Sequence, residues 1–135
     1  MISVDLDRLR AAAEAVARDA GLRLVILFGS GARQEPRESE DLDLGVLGFG
    51  GLDPIDLTNR FTRSLGVQEI DVTDLSRADP LVLVIAARDG IPLHEAEPGA
   101  FARFASLAAR RFADTRKFRD AERDAIADFL DRSVR

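Results

Sequence analysis

An uninterrupted apolar run, Leu24–Phe28, is the feature that most constrains the fold of this 135-residue chain. A short run of branched and aromatic residues is typical of a strand that is buried on both faces of a sheet. Gly29 and Ser30 end the run, so the chain turns there. Together with the segments described below, this run predicts an α/β protein with a small mixed sheet of three main strands flanked by helices.

Two aspartates begin a second apolar segment further along the chain. Ten residues separate Ser30 from Asp41, and Asp43 follows two positions later. Side chains alternate between the faces of a strand, so Asp41 and Asp43 point the same way, while Leu42 and Leu44 point into the core. Two adjacent carboxylates repel each other unless a cation lies between them. Their oxygen atoms favour a hard divalent metal ion.

The Gly-Ser pair indicates a phosphate site beside that metal. Gly29 permits a sharp turn and the close approach of a ligand. Ser30 can cap a short helical turn whose free N–H groups would bind phosphate. Arg33 lies within one turn of Ser30 and could reach the β- or γ-phosphate, although a solvated loop arginine fits the pattern equally well. Each motif alone is common, and only their combination on two strands predicts a nucleotide site.

A third aspartate lies in the next alternating segment, 67–75. Ile70 and Val72 share one face of this predicted strand, and Asp71 shares the other with Thr73. An aspartate between β-branched apolar residues in mid-strand is unusual. Asp71 is therefore a position of interest, with a solvent-facing residue on an edge strand as the alternative.

The motif of Gly29-Ser30, ten residues and Asp41-x-Asp43 resembles the signature of the DNA polymerase β-type nucleotidyltransferase superfamily. The short chain is similar to the minimal nucleotidyltransferases (MNT), whose best-known members are antitoxins paired with HEPN-domain toxins. The resemblance implies the nucleotidyltransferase fold and transfer of AMP from ATP to a hydroxyl group. It also implies that the acceptor is a hydroxyl of the HEPN toxin, typically of a tyrosine, and that the modification silences the toxin.

The same resemblance assigns roles to individual residues. Asp41, Asp43 and Asp71 would be the catalytic residues and the ligands of two Mg²⁺ ions, with Asp71 also acting as base for the acceptor hydroxyl. The nucleotide-binding residues would be Gly29, Ser30 and Arg33.

Two positions depart from the family pattern and keep alternatives open. Gln34 stands where the family commonly has glycine, and Glu40 adds negative charge immediately before the first aspartate. These departures favour a non-catalytic antitoxin that acts by binding, whereas the three aspartates favour an enzyme. A drug-type nucleotidyltransferase normally carries a further acceptor-binding domain, for which 135 residues leave little room. An α/β protein with acidic loops is the remaining alternative.

Composition excludes several classes of protein. The chain has no cysteine, so disulfides and cysteine-based zinc sites are impossible, and we expect a cytoplasmic location. We expect neither a signal peptide nor a membrane span. Residues 1–97 carry 18 acidic and 10 basic groups. Such an acidic body argues against a duplex nucleic-acid binder.

Capping residues predict three helices and a final short strand. The helices span Ser3–Gly21, Asp53–Gly66 and Asp79–Gly90, each with a polar cap at its start and glycine at its end. The third is almost entirely apolar, so we expect it to be buried. Pro92 favours an edge position for a strand near Ile91.

The pattern changes at residue 98 to one long C-terminal helix. We divide the chain into a minimal nucleotidyltransferase domain, residues 1–97, and a helical extension of the same domain, residues 98–135. The apolar stripe of the extension continues to Phe129 and Leu130, and its balance of 9 basic and 6 acidic residues is positive. No glycine or proline interrupts residues 100–135. The helix could break near Asp114-Thr115 and fold back, or a second chain, either another copy or the HEPN toxin, could cover its distal half. We favour the second chain, because neither residue type that permits a sharp reversal is present.

Overall fold

Four strands form one mixed sheet with helices on both faces. The structure is a computed structural model that describes residues 5–29, 42–66 and 69–134, with the backbone alone for residues 133 and 134. In chain order the elements of the described part are α1 (Leu6–Ala20), β1 (Leu22–Phe28), β2 (Leu42–Gly48), α2 (Pro54–Leu65), β3 (Ile70–Asp74), α3 (Pro80–Asp89), β4 (Ile91–Glu95), α4 (Ala100–Asp114) and α5 (Arg116–Val134). The predicted α/β class is confirmed.

The apolar run identified in the sequence is the centre of this sheet. The strand order is β3-β2-β1-β4, and β1 is antiparallel to both of its neighbours. β2 and β3 are parallel, and the Leu42 N–H donates to the Glu69 carbonyl at 2.8 Å where they begin. Leu24, Val25 and Ile26 are completely buried. β4 occupies an edge, as Pro92 predicts.

Each face of the sheet has its own hydrophobic cluster. α1 and α2 cover one face, where Val25 and Leu27 of β1 meet Leu44 and Val46 of β2. α3 and α4 pack on the other face, where Leu24 and Ile26 meet the following residues: Leu75, Leu83, Ala86, Ala100, Phe104 and Ala108. Alternation along β2 and β3 assigns Asp43 and Asp71 to this second face.

The helix boundaries largely follow the capping signals. Asp53 accepts from the N–H groups of Ile55 at 3.0 Å and Asp56 at 3.4 Å, and α2 ends at Gly66 with a φ of 68°. The expected Ser3 cap of α1 is wrong. α1 begins at Leu6, and Asp5 caps it by accepting from the Arg8 N–H at 2.8 Å.

The prediction that α3 is buried is also wrong. Only Leu83 and Ala86 of this helix are buried, and Leu81 is 55% exposed. A helix in the outer layer of such a fold buries the stripe that faces its neighbours and exposes the opposite side, whatever its composition.

The C-terminal segment is two helices instead of one. α4 ends at Asp114 because Thr115 and Arg119 compete for the backbone carbonyl of Phe112. The Thr115 hydroxyl donates to that oxygen at 2.7 Å and the Arg119 guanidinium at 3.1 Å. Local side-chain bonds of this kind interrupt the helical ladder. α5 then begins at Arg116, and all its described side chains are exposed.

Candidate active site

The parallel pairing of β2 and β3 brings two of the predicted carboxylates together. Asp43 and Asp71 are register partners, so their Cα atoms are about 4.8 Å apart and their side chains leave the same face of the sheet. Both lie near the beginning of their strands. Phe28, at the end of β1, pairs with Asp43 from the other side. The end of β1 therefore meets the starts of β2 and β3 at one edge of the sheet, meaning the side where these strands begin or end and not an edge strand.

Gly29 contacts the carboxylate of Asp43 at this edge. Its φ of 76° lies in the left-handed region that favours glycine. A Cβ added here would lie 3.2 Å from Asp43 Cγ and 3.4 Å from Asp43 Cβ, and would overlap the Oδ2 atom. The missing side chain therefore leaves room for the carboxylate in its present position.

Gly45 and Leu75 close the site on the side of the core. Gly45 follows Asp43 on the same face of β2. A Cβ at Gly45 would lie 2.9–3.1 Å from three carbon atoms of the Leu75 side chain, which packs over the strand. The Leu75 N–H donates to the Val46 carbonyl at 2.9 Å and holds this turn in place. A glycine inside a strand is the sequence signal of such close packing, and Gly45 is therefore a further residue of this region that the sequence could have indicated.

The edge that carries the aspartates is accessible to solvent and contains an ion pair. Asp71 is exposed and Asp43 is half-buried. Arg88 lies at the same end of the sheet, because Ile91 pairs with Leu27. Its guanidinium donates to both carboxylate oxygens of Asp89 at 3.2 Å. Hydrogen bonding and charge attraction to Asp89 raise the pKa of Arg88.

Half of the predicted site lies outside the described residues. Ser30, Arg33 and Asp41 belong to segment 30–41, together with the departures Gln34 and Glu40. Within the described ranges there is no group of three or more histidine, cysteine or acidic residues placed to hold a metal ion. Asp43 and Asp71 supply two carboxylates on one face, and oxygen donors of this kind fit Mg²⁺.

A comparison with protein families decides the relationship. Residues 12–98 match the family model described as Polymerase beta, Nucleotidyltransferase. The chain belongs to this nucleotidyltransferase family. The match runs from α1 to the end of β4 and includes Gly29, Asp43 and Asp71. No curated protein matches the chain significantly.

Solved structures support the same assignment for this nucleotidyltransferase-family chain. A protein described as a minimal nucleotidyltransferase is 34% identical, with a TM-score of 0.54 over 68% of this chain and 99% of its own. A toxin–antitoxin structure with AMP-PNP contains a chain that is 25% identical, with a TM-score of 0.69 over 90% of this chain and 97% of that one.

A third solved structure shares the fold over almost the whole chain. It contains a tri-AMPylated HEPN toxin of Shewanella oneidensis in complex with an MNT antitoxin. The matching chain is 23% identical, with a TM-score of 0.68 over 93% of this chain and 98% of that one. At that identity the likeness concerns the fold alone.

Within the described residues of the present protein, no helix is both long and apolar enough to span a bilayer.

Proposed function

We propose that this protein is a Mg²⁺-dependent adenylyltransferase that moves AMP from ATP onto a hydroxyl group of a HEPN toxin and thereby silences it. The observation that carries the proposal is the pairing of Asp43 with Asp71 beside Gly29, in a chain that belongs to the nucleotidyltransferase family. Carboxylates on adjacent strands next to a glycine turn are what a nucleotide triphosphate with its metal ions requires.

The proposed roles follow the positions of the residues along the edge. Asp41 and Asp43 would hold the metal ions, and backbone N–H groups at Gly29 and Ser30 would hold phosphate oxygens, with Arg33 as a further phosphate contact. When bound, the metal ions neutralise charge on the attacking and leaving oxygens of an in-line displacement.

The exposed position of Asp71 suits a different task from that of Asp43. Its carboxylate can reach an acceptor arriving from solvent and take the proton of the acceptor hydroxyl. That oxygen forms a bond to the α-phosphorus of ATP, the bond from the α-phosphorus to the bridging oxygen breaks, and pyrophosphate leaves. Asp71 therefore contributes to turnover as a base as well as to metal binding.

The proposed acceptor comes from the comparisons. A 25% identical chain occurs in a toxin–antitoxin structure with AMP-PNP. A chain of the same fold accompanies an AMPylated HEPN toxin. We therefore propose a HEPN toxin as the partner, and we propose the cytoplasm as the location because the chain has no cysteine. In this proposal residues 1–97 perform the chemistry, and residues 98–135 are a helical extension of the same domain.

The test is transfer of radiolabel from α-labelled ATP to the purified toxin in the presence of Mg²⁺. We expect Asp41→Asn and Asp43→Asn each to abolish transfer while the thermal melting temperature changes little. Asp7→Asn, on the exposed first turn of α1, is the matched control and should retain full activity.

Binding and chemistry can be separated in the same experiment. Full transfer by Asp43→Asn would overturn the metal assignment. Toxin that is bound and inhibited by the wild-type protein without any label would instead favour the non-catalytic antitoxin. Asp71→Asn should lower the rate of transfer more than it weakens nucleotide binding. The reverse result would mean that Asp71 does not act on the acceptor side.

A further inference from the structure

α5 presents large apolar side chains that the domain does not bury. Phe118 is 77% exposed, Ile126 54%, Phe129 67% and Leu130 56%. Phe118, Ala125 and Phe129 are separated by seven and four residues, so they lie on one face of the helix. Exposed apolar surface that continues along a whole helix is typical of an interaction site. We call this face, with Ile126 and Leu130 at its margin, the α5 stripe.

The charges of α5 are arranged in two opposite halves. Arg116–Arg123 contains four basic and two acidic residues, whereas Asp124–Val134 contains three acidic and one basic. The halves therefore carry +2 and −2. A helix dipole favours the reverse arrangement, with acidic residues at the N-terminus and basic residues at the C-terminus. The distribution of charge thus opposes the stability of α5 in isolation.

Ion pairs within α5 do not remove this polarity. In the basic half, Asp120 lies 3.9 Å from both Arg116 and Arg123, at the limit of an ion pair. Asp128 and Arg132 form a closer pair at 2.8 Å in the acidic half. All these side chains are more than half exposed, so each pair contributes little to stability.

We infer that α5 forms an antiparallel pair with α5 of a second copy of this chain. In that arrangement each basic half lies beside the acidic half of the other copy, and the two helix dipoles oppose each other. Two of the large apolar side chains also pair about the same centre. With the centre of the pair between Arg123 and Asp124, Phe118 lies level with Phe129 of the second copy. Glu122 then lies level with the small Ala125.

The exposed area is suited to a weak, reversible dimer. The four large side chains expose roughly 500 Å² per copy, taking about 200 Å² for a whole aromatic residue. Two copies could therefore bury about 1,000 Å², which is slightly below the ~1,200 Å² of the smallest stable interfaces. Charge attraction would add to this, so the dimer should dissociate more readily at about 0.5 M than at 0.05 M salt.

The first test is sedimentation equilibrium of the full chain, without toxin. We expect a concentration-dependent dimer, and Phe118→Asp with Phe129→Asp should raise its dissociation constant at least tenfold. Ile55→Asp and Leu81→Asp are matched controls, because they place the same charge on exposed apolar sites outside α5, and they should leave the dimer intact. A dimer that survives the double substitution, or a wild-type chain that stays monomeric, overturns the inference.

The second test reverses the charge of one half of α5 in each of two variants. One variant combines Arg116→Glu, Lys117→Glu and Arg123→Glu, and the other combines Asp124→Lys, Asp128→Lys and Asp131→Lys. Each variant alone should dimerise less than the wild type, because its α5 carries one sign of charge throughout. An equimolar mixture should restore the dimer, and a mixture that stays monomeric would contradict the role of polarity.

The third test determines the direction of pairing, and the absence of native cysteine makes it simple. Phe118→Cys and Phe129→Cys chains, oxidised separately, should not cross-link, since symmetry places identical positions about 16 Å apart. Their mixture should form a disulfide. Cross-linking of each variant with itself would indicate parallel pairing and would overturn the inference. If the Asp double variant instead remains dimeric and loses only the toxin, the stripe belongs to the toxin and the inference is wrong.

Discussion

Replacing Gly29 with alanine separates the geometry of the site from the stability of the fold. Gly29 has a φ of 76°, so a non-glycine residue there costs about 1–2 kcal/mol of folding free energy. For a 135-residue chain, with ~2.1 cal/mol/K of unfolding entropy per residue, this corresponds to a melting temperature lower by about 4–7 °C. The new Cβ also overlaps Asp43 Oδ2. The carboxylate must rotate away, which should reduce affinity for Mg²⁺ and nucleotide by about 10–100-fold.

Two other glycines serve as matched controls for the backbone strain, because a side chain there would contact no neighbour. Gly21 and Gly66 have φ values of 70° and 68°, and a Cβ at either would meet nothing within 4 Å. Their alanine variants should lose similar stability, measured by circular dichroism on heating. They should retain wild-type binding of a non-hydrolysable ATP analogue, measured by calorimetry with Mg²⁺. A Gly29→Ala protein that binds the analogue as well as Gly21→Ala does would refute the proposed place of Asp43 in the site.

Three further predictions concern packing and capping, each measured by chemical denaturation. Phe61→Ala should cost about 3–5 kcal/mol of unfolding free energy, because its side chain is 1% exposed in the core between the sheet, α1 and α2. Gly45→Val should cost about 1–3 kcal/mol, because its side chain would run into Leu75. Asp53→Ala should cost about 1 kcal/mol through the loss of the α2 cap, whereas Asp53→Asn should retain most of the stability.

The sequence predicted the sheet well because its strands carry strong local patterns. The run Leu24–Phe28 is apolar on both faces, and this identifies a central strand before any partner is known. The pairing of Asp43 with Asp71 depends on the parallel register of strands that lie more than twenty residues apart. No local pattern sets that register, and only the family resemblance suggested that Asp71 joins the site.

The errors occurred where a local pattern allows more than one arrangement. α3 is nearly all apolar, but composition does not show that only one of its sides meets the sheet and α4. The break at Thr115 depends on Arg119, one turn later, because Thr115 and Arg119 both donate to the backbone carbonyl of Phe112. The sequence allowed a break near Asp114-Thr115, but the absence of glycine and proline from residues 100–135 favoured a continuous helix. A side chain that competes for a backbone acceptor leaves no comparable mark in the sequence.

The separation of the two hydrophobic clusters also determines how this protein can change over time. Substitutions among residues that point towards α1 and α2, such as Val25 or Val46, should alter thermal tolerance while the proposed transfer activity stays constant. Substitutions on the opposite side of the same strands, at Gly45 or Thr73, act directly beside the carboxylates. Adjacent positions in β2 and β3 therefore experience different selection, and variants adapted to heat should accumulate their changes at alternate residues.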